Sequence, residues 1–220
     1  MRPVRPALVL LVALAAACSS RPAAQPEEQV APLGAHPLAG LAGQQVVVLP
    51  VRYLRPADSL GWAAQVGDPR AYLAKVDDEI AFAARDRGAA PTWVWPEEIT
   101  RLARRNAAYA PDPHNIAADP LRGAQVKRQS TVSILADPLR SQLRQLVALR
   151  DARYALVPVE LRFEPRGDGT GRAVLHWVVV DARAAQVVMA GDIATDPAPS
   201  LTPAIAAGIG ERFADLIAAR

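Results

Sequence analysis

Three histidines, one cysteine and a run of three acids are the side chains of this sequence with the widest chemical range. His36, His114 and His176 stand far apart, and none has metal-ligand spacing to another His, to Cys or to a carboxylate pair. His36 falls in a Pro-rich stretch and His114 between elements, so both read as solvated. His176, in Val174-Leu175-His176-Trp177-Val178, shares its strand face with Val174, Val178 and Val180. That places it beneath a helix or on a half-covered face, where a hydrogen-bonded structural role is the first reading and catalysis the second. Asp77-Asp78-Glu79 could be a metal or acid/base cluster, yet successive helical side chains point about 100° apart and do not converge. A solvated helix face is the expectation. Gly167-Asp168-Gly169-Thr170-Gly171 joins two strand patterns, leaves no helix N-terminus to hold a phosphate, and reads as a hairpin turn. No nucleophile elbow, zincin helix, P-loop or dinucleotide fingerprint occurs, so catalytic residues, metal and cofactor are all expected to be none.

Two further groups could serve recognition. Trp93 and Trp95, in Pro91-Thr92-Trp93-Val94-Trp95-Pro96, lie on one face if the segment is extended, either in the core or as an exposed aromatic anchor for a partner. Arg101, Arg104 and Arg105 form the most basic spot, with Glu97 and Glu98 a turn earlier. The spacing fits surface pairs four residues apart, or a contact for anionic lipid or an acidic partner.

The cysteine gains its meaning from what precedes it. Arg2 and Arg5 flank an apolar run of 11 residues, Ala7–Ala17, too short for a membrane-spanning helix and of the length of a signal-peptide core. Leu14-Ala15-Ala16-Ala17-Cys18-Ser19 resembles the lipobox of bacterial lipoproteins, with Ala15 where Leu is usual. The resemblance implies cleavage after Ala17 and lipidation of Cys18, with palmitate among the acyl chains. The alternative is an ordinary secretory signal cut at the Ala run. Ser19 rather than Asp after the cysteine implies the outer membrane, facing the periplasm, with the inner membrane still open. Loss of the leader would remove Arg2 and Arg5 and leave 23 basic residues against 22 acidic, a net charge of +1. So small a charge supplies little drive for binding nucleic acid, and none is expected as a partner.

These groups must be carried by folded elements. Residues 18–41 read as a Pro/Ala-rich tether, and 42–220 as one domain. Val46-Val47-Val48-Leu49-Pro50-Val51 looks like a buried strand with Pro at a sheet margin. Asp-Pro occurs at 68, 112, 119, 137 and 196, and the pair is a ready helix start. After Asp68-Pro69, Leu73, Val76, Ile80 and Ala83 share a face, and Gly88 is a stop. After Asp137-Pro138, Leu139, Leu143, Leu146 and Val147 recur at helical spacing. Another helix starts at Pro96, and the last is capped by Thr202 and buries Ile205, Ile209, Phe213, Leu216 and Ile217. Residues 109–136 show no clear element, yet a loop of that length is uncommon in a compact domain, so a short helix or strand is expected there. From Tyr154 to Ala194 the pattern is an antiparallel three-strand meander. The class expected is therefore α/β (α+β): a mixed sheet of about five strands with helices packed on it.

The first strand, Asp151-Ala152-Arg153-Tyr154-Ala155-Leu156-Val157 and Val180-Asp181-Ala182-Arg183-Ala184-Ala185-Gln186-Val187 together resemble the TolB amino-terminal domain and its CsgG-like and penicillin-binding-protein-activator relatives. The resemblance leaves 52–135 outside it, and Ala185 stands where the family has Gly. It implies a periplasmic interaction domain. Two readings follow. The first is a non-enzymatic envelope lipoprotein that binds another envelope protein or itself, with an apolar patch near Trp93 and Trp95 and no cleft holding a perturbed ionisable group. The second is a hydrolase or transferase on cell-wall or lipid material, which needs His176 beside a carboxylate and a hydroxyl in a pocket.

Overall fold

The structure is a computed structural model that describes residues 36–56, 58–124 and 134–218. Residues 1–35, with Ala17 and Cys18, lie outside them.

The order of elements follows the hydrophobic pattern. Strand β1 (Val46–Val48) and the short β2 (Tyr53–Leu54) precede helices α1 (Trp62–Gln65), α2 (Pro69–Asp86) and α3 (Pro96–Arg105). Helix α4 (Leu139–Ala148) leads into the meander β3 (Tyr154–Pro165), β4 (Gly171–Asp181) and β5 (Gln186–Ala194), and α5 (Pro203–Asp215) follows. The sheet is mixed. β1 and β2 both run parallel to β3, β3 is antiparallel to β4, and β4 to β5. The expected class and five-strand sheet are thus observed. The strand expected over 46–51 divides in two: Leu49, Arg52 and Arg55 donate backbone N–H to Leu156, Pro158 and Leu161 of β3, with Pro50 in the break where no N–H is available.

β3 and β4 are apolar on both faces, so the sheet is covered on both. Val46, Val48, Leu156, Leu161, Leu175, Trp177 and Val179 face α2 and α5, whose Leu73, Val76, Ile80, Ile205, Ile209 and Phe213 complete that core. Val47, Leu49, Ala155, Val157, Val178 and Val180 face α3 and α4 through Ile99, Ala103, Leu143, Leu146 and Val147. Asp68 caps α2 through Arg70 N at 2.9 Å, and Gly88 ends it at φ +60°. Thr202 precedes Pro203 at the start of α5 without the expected side-chain cap bond. Ala185 takes φ +57°, the left-handed turn conformation more usual for Gly.

Two expectations are corrected and one is met. The packed domain starts before residue 42, since Leu38 is fully buried and its N–H bonds Leu216 O at 2.8 Å. The short element expected within 109–136 takes the form, among the described residues, of two single 3-10 turns, Pro113–Asn115 and Asp119–Leu121, each opened by an Asp-Pro pair and too short to leave a periodic pattern. Trp93 and Trp95 are buried in the α2–α5 core, with ring centroids 5.8 Å apart and Trp93 Nε1 donating to Leu41 O at 3.0 Å. The segment is extended as expected, but Val94 pairs with β1, which turns both rings inward and removes them as a partner anchor.

The α2–α5 packing is close enough to test. A Cβ on Gly210 would sit 2.4 Å from Glu79 O, whereas one on Gly208 meets only the Thr195 side chain, at 3.3 Å. Alanine gains ~1 kcal/mol of helix propensity at either place. Gly210→Ala is nonetheless expected to lose about 1–3 kcal/mol by overpacking, with Gly208→Ala close to wild type, as read from urea midpoints. A Gly210→Ala protein as stable as Gly208→Ala would contradict this packing.

Candidate functional site

At the β2 margin of the sheet the two helical layers come together, and between them lies a cleft of about 610 Å³. One wall is Val51–Leu54, a second is the first half of α2 (Pro69, Arg70, Leu73, Ala74, Asp77), and Arg104 of α3 with Asp112 and His114 form the third. β1 is closed along this margin by Val94, which exchanges backbone bonds with Val46 and Val48. One step further the edge passes to a side chain: Val51 N–H donates to Asp77 Oδ1 at 2.9 Å.

Asp77 is 6% exposed, contrary to the solvated face expected of the acid run; only Asp78 is exposed and Glu79 is half-buried. Burial pushes its carboxyl up to about 8, with the Val51 N–H opposing and Asp78 adding to the rise. At neutral pH the group is therefore mostly the uncharged acid. Its second oxygen has no hydrogen-bond partner among the described residues. His114 is half-buried, not solvated, in the Pro113–Asn115 turn capped by Asp112, and Thr100 Oγ1 lies 3.4 Å from its Nε2. Burial lowers its pKa, Asp112 acts against that, and Arg70, Arg104 and Arg52 add to it.

Three guanidinium groups enter from three elements. Arg52 donates Nε to Ile116 O at 3.2 Å and lies 4.7 Å from the Tyr53 ring centroid. Burial raises the Tyr53 pKa. Arg70 and Arg104 are exposed and form no ion pair among the described residues. Of the basic trio read from the sequence, only Arg104 lines the cleft, while Arg101 and Arg105 are exposed elsewhere on α3. The pairs expected within α3 are absent among the described residues; Glu98 instead meets Arg150 at 3.4 Å, because α3 lies beside the end of α4. Chemically, fixed cations around a neutral acid and apolar walls can hold an anion. The expectation that no cleft holds a perturbed ionisable group is thereby overturned. Asp77 was legible in one respect, since it lies four residues after Leu73 on the buried face, and the acid run masked it.

His176 lies outside the cleft, midway along β4, opposite Glu160 of β3 and Asp192 of β5. Its Nδ1 is 2.7 Å from Asp192 Oδ1 and its Nε2 3.2 Å from Leu121 O. Both ring nitrogens are thus engaged, no hydroxyl joins them, and the ring is buried. The His176 bond leads in holding the Asp192 carboxyl down to about 2, with Arg162 assisting. This matches the hydrogen-bonded role read first from the sequence, and no hydroxyl among the described residues joins His176 and Asp192 as the alternative hydrolase reading needs. Next to it, buried Glu160 pairs with Arg55 and with Arg122 at 3.5 Å, and Arg122 lies 3.9 Å over the Tyr53 ring. His36, expected to be free in solvent, bonds through Nδ1 to Asp215 O at 2.6 Å. Among the described residues no group of three His, Cys, Asp or Glu could hold a metal, and no helix is long and apolar enough to cross a membrane.

No protein-family model matches the sequence, and no curated protein matches it. Solved structures with a similar arrangement include the C-terminal domain of LpoB from Salmonella enterica, at 13% identity and a TM-score of 0.33, over 70% of this chain and 82% of that one. The solution structure of Escherichia coli LpoB aligns at 13% identity and 0.36, over 89% of this chain and 85% of that one. A PelC dodecamer from Paraburkholderia phytofirmans aligns at 12% identity and 0.36, over 80% and 91%.

The cleft makes a prediction about stability. The unfolded chain releases the Asp77 proton near the ordinary value of 3.8, and the folded chain holds it to about 8. Stability contributed by the neutral acid is complete below the first value and declines as pH rises toward the second, at up to about 1.4 kcal/mol per pH unit. Asp77→Asn keeps an acceptor for Val51 N–H and cannot ionise. The stability difference should therefore move in favour of the variant from pH 4 to pH 8 and level off above. Urea midpoints across that range that shift in parallel for both proteins would refute a buried, uncharged Asp77.

Proposed function

We propose that this chain is a lipid-anchored protein of the bacterial envelope that works by binding rather than by catalysis. In this reading residues 1–17 are the signal peptide, Cys18 becomes the lipidated first residue, and the stretch after it tethers the domain at the periplasmic side of the outer membrane. The observation that carries it is the basic flank and 11-residue apolar run ending in Ala15-Ala16-Ala17-Cys18, with no other cysteine in the chain. An unpaired thiol is a liability in an oxidising compartment, and lipidation consumes it. Each buried methylene adds ~0.8 kcal/mol, and one acyl chain holds only marginally, so two or three chains make a lasting anchor.

The domain is read as an interaction module of the TolB amino-terminal, CsgG-like or penicillin-binding-protein-activator kind, with an envelope protein or a second copy as its partner. The engagement of both His176 ring nitrogens supports binding over catalysis, because a general base needs a free lone pair aimed at substrate.

Labelled palmitate is expected to enter the wild-type protein and not Cys18→Ala, and the variant should leave the membrane fraction. In-cell crosslinking should then capture a partner from wild type that Cys18→Ala fails to reach. An unlabelled wild-type protein retaining its leader would overturn the assignment.

A further inference from the structure

We propose that the cleft beside β2 binds an acidic segment of a partner protein, with Arg52, Arg70 and Arg104 gripping its carboxylates and the Asp77 carboxyl donating a hydrogen bond from the floor. The inference rests on the binding reading above and names what this face of the domain recognises.

Charge is the first argument. Many guanidinium groups elsewhere meet acids, among them Arg87 with Asp215, Arg153 with Asp181, Arg162 with Asp192 and Arg172 with Glu164, while Arg85, Arg101 and Arg105 are exposed without an ion pair among the described residues but do not line a shared cleft. In the cleft three arginines face one charged acid, Asp112, whose two oxygens already accept from His114 N at 3.0 Å and from Asn115 Nδ2 at 2.8 Å. The cleft therefore lacks anions that a ligand can supply. Arginine forks suit carboxylates, since two parallel N–H bonds fix both distance and plane.

The floor is the second argument. Asp77 Oδ1 holds the Val51 N–H where the next strand would have placed a carbonyl, and the other oxygen has no protein partner. As a neutral acid it can offer its proton to an incoming carboxylate, whereas an ionised Asp77 would repel it. Val51, Leu54 and Leu73 line the same space, and their apolar surface strengthens each charge-assisted bond by excluding water.

Shape selects a protein segment over a lipid surface. The three arginines converge on a concave space, and a membrane would sooner meet the exposed Arg101 and Arg105, which lie outside it. The charged and titratable groups facing the cleft or Asp77 are Arg52 and Tyr53 from the β1–β2 segment, Arg70 and Asp78 with Asp77 from α2, Arg104 from α3, and Asp112 and His114 from the turn. His114 is shifted down and Tyr53 up, so Asp77 is the group whose charge changes near pH 8.

The test uses the full chain in detergent and fluorescein-labelled hexaglutamate, followed by anisotropy at low salt. Saturable binding is expected, weakened more than about tenfold in the Arg70→Ala/Arg104→Ala double variant. Arg101→Ala/Arg105→Ala removes the same amount of charge from the part of α3 outside the cleft and should bind like wild type. Wild-type binding should weaken as pH rises past about 8, while Asp77→Asn stays level. Absence of saturable binding, equal losses in the two double variants, or equal binding of labelled hexalysine would overturn the proposal. So would recruitment to phosphatidylglycerol vesicles through Arg70 and Arg104 when the peptide does not bind. Failure of the peptide with Cys18-dependent partner capture intact removes the cleft and leaves the envelope reading; the converse removes the anchor and leaves the cleft.

Discussion

The structure depends on one constraint: its two longest strands are buried on both faces. β3 and β4 place Leu156, Leu161, Leu175 and Trp177 on one side and Ala155, Val157, Val178 and Val180 on the other. A sheet of that kind is stable only when each face is covered, since every apolar Å² left in water forgoes about 25 cal/mol. Helices α2 and α5 meet one demand and α3 and α4 the other. Because both layers extend past the narrow β1–β2 margin, they meet there around a gap, and that gap is the cleft.

Polar groups inside this framework divide into two kinds. Midway along the meander, His176, Glu160 and Asp192 are matched by Leu121 O, Arg55, Arg122 and Arg162. These contacts fasten the 3-10 turn Asp119–Leu121 to the sheet, and a buried polar group so satisfied specifies position. Asp77 differs. One oxygen closes the sheet edge by accepting from Val51 N–H; the other has no partner within the described residues, and holding the group there costs stability at neutral pH. A cost of that kind at a cleft rimmed by unpaired arginines belongs to recognition more readily than to folding.

Patterns of period 2 and 3.6 carried much of the fold. The turn around Gly169 and the spacing of Leu143, Leu146 and Val147 each report a local preference that the tertiary structure kept, whereas the alternation of Val157, Val159, Leu161 and Phe163 on one buried face was not kept: a register shift between Pro158 and Glu160 turns the first two toward α3 and α4 and the last two toward α2 and α5. The 3-10 turns escaped because single turns have no period. Asp77 and His114 were misread, and the Trp pair was left open, for a different reason: their environments are made by chain segments distant in sequence. Asp77 is buried by β1–β2 some 26 residues before it, and the outward or inward turn of Trp93 and Trp95 was settled when Val94 paired with β1.

By itself, then, the sequence determined the element types and the mixed sheet, because each is written in neighbouring residues through backbone geometry. Only the tertiary structure decided which charges go unpaired and which acid goes dry. Arg52, Arg70 and Arg104 come from three elements, and electrostatic surroundings depend on distance in space rather than along the chain.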